Sequence, residues 1–315
     1  MRAVQFDAYG DSGVLHLRDA ERPHPGPGEI LVDVYAASLN PVDWKIRAGL
    51  VAGSFPVTFP ATIGRDGAGI VRGIGAGVDP SMMDKRVAFF APRGQGTWAE
   101  EIVLPTDSVA QVPSNVSLID AAAMPLAGTS AFIPLVDIAN VSSGMRVLIH
   151  AGAGGVGTYA IQIAKARGAE VFATCSQRNA DFVASFGANP IAYDRAPFET
   201  QVQDMDVVLD LMGGDVHERS YPVLKRGGLL VCLTAAPFKD RGDEFGITVK
   251  IAPILPRRDI LDQLLQMMKD GALRSAVEQT LPVTDFRQAH DASETGHVRG
   301  KVVMLIRNDD GTPVA

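Results

Sequence analysis

The chain has 315 residues, more than one hydrophobic core usually organises, so two domains are expected. A hydrophobic fraction of 46% and a charged fraction of 21% describe an ordinary globular protein. No apolar run approaches the roughly 20 residues of a membrane helix. A net charge of −7 without a Lys/Arg cluster argues against nucleic acid and anionic membrane surfaces as partners. The opening "MRAVQFDAYG" has no secretory signature, so a cytoplasmic setting is expected. Cys175 and Cys232 lie in apolar runs without CxxC spacing and read as buried, reduced thiols.

The first third reads as short β segments. "EILVDVYAASLN" alternates from Ile30, and "PHPGPGE", "NPVD", "SFPVTFPA" and "GIGAGVDP" supply turn chemistry. A compact β-rich domain is expected here. From about Ser117 the rhythm changes to "RVLIHA", "EVFATCS", "PIAYD", "DVVLDLM" and "GLLVCLT", most of them followed by segments of helical period. That alternation predicts right-handed βαβ units and a parallel sheet covered by helices. The strand "ITVKIAPI" follows, then "RRDILDQLLQMMKDG", whose Ile260, Leu261, Leu264, Leu265 and Met268 make one apolar helix face that Gly271 ends. "TDFRQAHDASE" and the strand "GKVVMLIR" close the chain.

"HAGAGGVG", residues 150–157, follows a predicted strand and opens a predicted helix. Gly152, Gly154 and Gly157 form GxGxxG, with Ala153, Gly155 and Val156 between them. In that context the first glycine permits a tight turn, the second lets backbone N–H groups approach a pyrophosphate, and the third allows close helix packing. The bland alternative is a tight strand-to-helix turn with no ligand. An NAD site would carry an acid at the end of the second strand. Here the strand ends in Thr174, Cys175 and Ser176, with Arg178 beyond, so a 2′-phosphate is not repelled and has a cation to pair with. NADP(H) is therefore favoured over NAD(H), although Arg178 alone could be a solvated helix-start residue.

"NPVDWKIRAG" at 40–49, "IGRDGAGIVRGIGAGV" at 63–78, "AGAGGVG" at 151–157 and the closing "GKVVMLI" together carry a family resemblance. Over nearly its whole length the chain resembles the medium-chain dehydrogenase/reductase superfamily, in its zinc-independent quinone oxidoreductase and enone reductase branch. The resemblance implies an α/β fold in two parts. Residues 1–124 with 256–315 would form a β-rich, GroES-like substrate domain, and 125–255 a Rossmann domain with a doubly wound parallel sheet. The active site would lie in the cleft between them. Zinc members place Cys, His and Glu where this chain has Asn40, Arg65 and Asp66. A further Cys is absent from "AMPLAGTSAF", and so is the four-cysteine lobe, so no metal is expected. Without a Lewis acid the favoured acceptors are quinones and α,β-unsaturated carbonyls, whose developing oxyanion needs only one or two hydrogen-bond donors.

By the same resemblance Lys45 is the cationic donor to that oxygen, with Asn40 and Asp43 shaping the site. The competing reading makes Asn40 and Asp43 caps of a short helix and Lys45 a solvated side chain. Thr129 matches a threonine beside the nicotinamide, Thr234 follows a strand at the ligand-binding edge of the sheet, and Tyr193 in "AYDR" is one place removed from a tyrosine near the 2′-phosphate. A homodimer is implied, with "ITVKIAPI" as a pairing edge. Tyr221 and Lys225 have YxxxK spacing, but "SYPVLKRGG" reads as an ordinary helix leading to a strand. His150 reads as a structural imidazole. A non-catalytic NADPH-binding protein of the same fold remains the alternative to an enzyme.

Overall fold

A computed structural model describes residues 1–233, 238–308 and 310–314. The chain divides into two compact units, Met1–Leu126 with Leu255–Ala315, and Ala127–Ile254.

In the central unit six strands form one sheet. Numbered by chain order, they lie 3-2-1-4-5-6: Asn189–Ala192, Glu170–Cys175, Arg146–Ile149, Met205–Asp210, Leu224–Cys232 and Thr248–Ile251. Every neighbouring pair is parallel. Val147, Leu148 and Ile149 are wholly buried, as a strand covered on both faces requires. This is the doubly wound, Rossmann order, and its switch point lies between Arg146–Ile149 and Met205–Asp210, where such sheets bind ligands. The helix Gly155–Ala166 makes the first crossover. One expected helix is not there. The helix Gly214–Ser220 gives way to a 3-10 turn at Tyr221–Val223, and Lys225 already belongs to the strand Leu224–Cys232. Pro222 cannot donate the next helical hydrogen bond, so Tyr221 and Lys225 never share a helix face.

In the other unit the β-rich expectation holds. A sheet runs Val277–Pro282, Lys301–Leu305, Glu29–Leu39, Asp66–Ile74, Arg86–Phe90 and Val109–Gln111, and Glu101–Pro105 also pairs with Glu29–Leu39. Both chain ends therefore contribute to one sheet. Its core gathers Phe6, Ile30, Val32, Phe89, Trp98 and Met304 among others. The predicted apolar face of the helix Arg258–Lys269 is its buried face, and Gly271 follows it at φ +76. Both cysteines are free and buried, and burial pushes the thiol of Cys175 up to about 11 and that of Cys232 to about 12. Among the described residues no helix is long and apolar enough to cross a membrane.

Candidate functional site

The glycine turn sits at the carboxyl end of Arg146–Ile149. Close packing dictates two of its glycines. A Cβ on Gly152 would come within 2.7 Å of the Ala173 Cβ, and one on Gly157 within 2.3 Å of the Ala151 carbonyl oxygen. Gly154 is less crowded: among the described residues a Cβ there would meet one atom, the Ala151 oxygen at 3.3 Å, a tight contact that a shift of a few tenths of an ångström relieves. Gly154 also precedes the helix Gly155–Ala166, which no side chain caps among the described residues. Its first N–H groups, those of Gly155, Val156 and Gly157, are thus free to meet an anion, and the helix dipole favours one. Ala153 lies buried within the same turn.

The next strand end brings Ser176, Arg178 and Tyr193 together. Tyr193 N donates to the Cys175 carbonyl at 3.1 Å, which aligns the ends of Glu170–Cys175 and Asn189–Ala192. Ser176 is half-buried and Arg178 exposed, while Tyr193 is 56% exposed. Arg178 has no hydrogen-bond or ion-pair partner among the described residues. Sequence reasoning missed an acid beside it: Asp194 Oδ1 accepts from Gln177 N at 2.8 Å. A carboxylate is therefore delivered by the third strand rather than the second, and only strand order reveals it. Thr174 serves the fold, its Oγ1 accepting from Ala151 N at 3.1 Å. Thr129, on the helix Pro125–Phe132, is fully buried and its hydroxyl has no partner among the described residues. A lone buried hydroxyl is costly unless a ligand completes it. Thr234 lies outside the described residues.

Two other polar groupings in this unit are already satisfied. His150 meets Thr174 Oγ1 at 3.1 Å and Ser220 Oγ at 2.9 Å, and burial lowers its pKa to about 4, so the ring stays neutral. Asp210, His217 and Cys232 converge, but His217 Nδ1 is spent on Asp210 at 2.9 Å and Nε2 on Tyr221 at 3.0 Å. The Asp210 Oδ1 accepts from Met212 N and Gly213 N, both at 2.9 Å, and the thiol is held protonated. Nothing there calls for a metal.

In the β-rich unit, strand register assembles a buried polar cluster. Val302 opposite Leu39 sets Lys301 beside Asn40, and Ala37 opposite Gly67 sets Ser38 beside Asp66. Lys301 Nζ donates to Asn40 Oδ1 at 2.6 Å and to the Leu39 carbonyl at 3.0 Å. Asp66 Oδ1 accepts from Asn40 Nδ2 at 2.7 Å and Ser38 Oγ at 2.6 Å, and its Oδ2 from Leu126 N at 2.9 Å. The amide of Asn40 is thereby fixed in one orientation.

Pro41 opens the helix Pro41–Arg47, and Asp43 Oδ2 accepts from Asn40 N at 2.8 Å, so Asp43 does cap it. Its Oδ1 is buried without a partner among the described residues, and burial above all raises its pKa to about 7, against a lowering by the Asn40 N–H. Lys45 is half-buried, with Nζ 5.7 Å from the Trp44 ring centroid. Lys301 and Asp66 were missed as site residues. The signal was a lone charge opening the apolar strand "KVVML" and a charged pair inside "IGRDGAG".

Arg65 completes the cluster without joining its hydrogen bonds. It is 5% exposed, and its guanidinium carbon lies 5.4 Å from the Phe55 ring centroid and 5.3 Å from that of Phe90. Nη1 is buried with no partner, and among the described residues the side chain enters no ion pair. Desolvated cation–π contacts contribute roughly 2 kcal/mol. The effective penalty of burying an ion is several kcal/mol, so the rings do not offset it. A zinc ion does not fit here: a guanidinium has no lone pair to give, and Asn40 Oδ1 is held by Lys301.

Comparison with known proteins agrees with this architecture. Residues 26–114 match the family model of the alcohol dehydrogenase GroES-like domain, and residues 186–304 that of zinc-binding dehydrogenases. A chloroplast envelope quinone oxidoreductase homolog of Arabidopsis thaliana is 31% identical over 323 residues, covering 96% of this chain and 98% of that protein. The structure of the quinone oxidoreductase from Coxiella burnetii superposes with a TM-score of 0.89 at 33% identity, over 98% of this chain and 99% of the other. That of the Escherichia coli quinone oxidoreductase complexed with NADPH gives 0.89 at 27% identity, over 97% and 100%. With its doubly wound sheet, its GroES-like domain and full-length relatives of this kind, the chain belongs to the medium-chain dehydrogenase/reductase superfamily, in its quinone oxidoreductase branch.

Proposed function

We propose that the protein is an NADPH-dependent, metal-free reductase of quinones and α,β-unsaturated carbonyl compounds. NAD(P)H-dependent oxidoreductase activity follows from the quinone oxidoreductase relatives. The observation that carries the finer reading is the glycine turn, where a Cβ on Gly154 would crowd one backbone atom at 3.3 Å while Gly152 and Gly157 are closed by packing below 3 Å. That is the arrangement a pyrophosphate needs. NADPH, when bound, supplies a hydride.

The backbone of Gly152 to Gly157 would hold the pyrophosphate, with Arg178, Ser176 and Tyr193 at the 2′-phosphate end and Thr129 offering its unpartnered hydroxyl to the nicotinamide end. Arg178 has to outweigh Asp194 for the phosphate to be preferred. Lys45 would donate to the oxygen on which charge develops, with Asn40 and Asp43 shaping its surroundings and water returning the proton. The donor set at positions 40, 65 and 66 supports the metal-free part of the reading. The two free, buried thiols suit a cytoplasmic setting. The exposed edge Thr248–Ile251 suits pairing with a second copy into a homodimer.

The test is the initial rate of NADPH oxidation with a benzoquinone and with a short enone, against NADH, with and without a chelator. Turnover selective for NADPH and indifferent to chelator is expected. NADPH binding without turnover of either acceptor would favour a non-catalytic binding protein instead. Lys45→Ala is expected to lower kcat/KM by about tenfold. A half-exposed ammonium is screened and contributes less than the 100-fold or so of a sequestered donor. An unchanged kcat/KM would remove Lys45 from the site.

A further inference from the structure

Ala151, which begins the glycine turn, has a backbone that alanine rarely adopts. Among the described residues four that are not glycine have a left-handed φ. Three of them, Asp84, Asn140 and Asp204, are of the two types whose short polar side chains suit that region. The fourth is Ala151, at φ +52. One residue of the second strand holds it there. Ala151 N donates to Thr174 Oγ1 at 3.1 Å, and Gly152 N donates to the Thr174 carbonyl at 2.8 Å. Successive N–H groups converge on one side only when the residue between them leaves the extended conformation. The Ala151 carbonyl then accepts from Gly154 N at 2.9 Å, which closes the turn.

The hydrogen bonds around Thr174 have one consistent direction. Ser220 Oγ lies 2.6 Å from the Val216 carbonyl, and only the hydroxyl can donate there. Towards His150 Nε2, 2.9 Å away, Ser220 is therefore an acceptor, and Nε2 carries the proton of a ring that burial keeps neutral. Nδ1 is then bare, and the Thr174 hydroxyl donates to it across 3.1 Å. That turns the lone pairs of Thr174 Oγ1 towards Ala151 N. Both side chains are buried, so bulk water competes with neither. His150 stands just past Arg146–Ile149, Thr174 on Glu170–Cys175, and Ser220 ends the helix that follows Met205–Asp210. One imidazole thus ties together elements from both sides of the sheet's switch point.

We propose that Thr174 and His150 are positioning residues for the cofactor's pyrophosphate: they hold Ala151 left-handed and so set the turn in its binding shape before the cofactor arrives. The inference rests on the reading of Gly152 to Gly157 as the pyrophosphate site. The two side chains are engaged with each other, with Ala151 N and with Ser220, so they act through the backbone of the turn. Without the threonine hydroxyl, Ala151 relaxes towards an ordinary φ and its carbonyl turns away from Gly154. Binding then has to rebuild the turn, and the fraction of protein ready to bind falls.

Thr174→Val removes the hydroxyl and keeps the shape, Thr174→Ser keeps the hydroxyl, and Ala151→Gly makes a left-handed φ free of strain. NADPH is titrated by fluorescence. Calorimetry follows 2′-AMP, which has the adenosine and its 2′-phosphate but no pyrophosphate. Thr174→Val is expected to weaken NADPH binding about tenfold, the population factor of a left-handed alanine, and Thr174→Ser by no more than about twofold. Combining Thr174→Val with Ala151→Gly should restore NADPH affinity to within about threefold of the unaltered protein. His150→Leu should weaken NADPH about fivefold, because Ala151 N keeps an acceptor whose direction is no longer fixed. The affinity for 2′-AMP should stay within about twofold throughout.

Unchanged NADPH affinity in Thr174→Val overturns the proposal and leaves the pyrophosphate reading intact. A double variant as weak as Thr174→Val also overturns it, since the backbone of Ala151 would not be what the hydroxyl controls. Parallel losses of NADPH and 2′-AMP do the same, because the two residues would then support the domain as a whole. If Thr174→Val does not fold, His150→Leu decides: NADPH weakened with 2′-AMP retained is expected, and unchanged NADPH affinity overturns the proposal. Should the unaltered protein bind NADPH no more tightly than 2′-AMP, the turn holds no pyrophosphate, and the inference falls together with that reading.

Discussion

His290 lies against Trp98, ring centroids 5.1 Å apart, with both ring nitrogens buried and without a partner among the described residues. Burial, and then the charge of Arg47, lower its pKa to about 3. His150 is lowered to about 4 by burial in the same way. An unfolded histidine binds its proton near 6.5, so both residues make stability fall as pH drops from there through their folded values. Asp43 works in the opposite sense. Its carboxyl is raised from 3.8 to about 7, so its contribution is full at low pH and is lost as pH rises through about 7. Over the interval from about 4 to 6.5 two histidines outweigh one aspartate. The melting temperature should therefore decline on acidification. His290→Leu should make that decline shallower and raise the melting temperature at neutral pH by about 2–4 °C, because two unsatisfied nitrogens are removed. Asp43→Asn should make the decline steeper. Melting curves from pH 4 to 8 decide the matter, and a parallel shift of either variant would show that the residue does not titrate as argued.

At the scale of the element, the turn between Arg146–Ile149 and Gly155–Ala166 separates packing from binding. A Cβ on Gly157 would meet backbone of Ala151 and Gly152, which cannot rotate away, so Gly157→Ala should cost about 1–3 kcal/mol of stability. Gly154 has φ −82 and would crowd only the Ala151 oxygen, at 3.3 Å, so Gly154→Ala should fold and lose much less stability than Gly157→Ala. Its added methyl stands where the pyrophosphate is to approach, and NADPH affinity should fall by about tenfold or more. Fluorescence titration with NADPH beside thermal melts separates the two effects. Equal loss of affinity without loss of stability in both variants would refute the division. The helix Pro41–Arg47 shows the complementary case, in which one pair of residues serves both ends. Asp43 caps the helix through Asn40 N, while the Asn40 side chain is held by Lys301 and Asp66.

At the scale of the molecule, the six-stranded sheet ends on Thr248–Ile251, which among the described residues pairs on one side only, with Leu224–Cys232. Ile251 is 57% exposed there. A short edge strand carrying a large apolar side chain is a template for pairing with another copy. Ile251→Asp is expected to convert a dimer into a monomer in light scattering, with turnover per chain measured alongside. A monomer in the unaltered protein would dispose of the edge-pairing idea.

The local patterns carried the two-part architecture, the glycine turn and the helix face of Ile260, Leu261, Leu264, Leu265 and Met268, because alternation, helical period and turn chemistry are properties of neighbouring residues. They also carried the absence of an acid at Thr174 to Ser176. They could not carry Lys301 beside Asn40, which are 261 residues apart and meet through antiparallel register, nor Asp194 beside Gln177, which meet through strand order. Nor could they distinguish Arg65, a buried cation without an ion pair among the described residues, from any other arginine. Burial and the lack of a partner are set by every element that packs around a side chain, and only the tertiary structure brings those elements together.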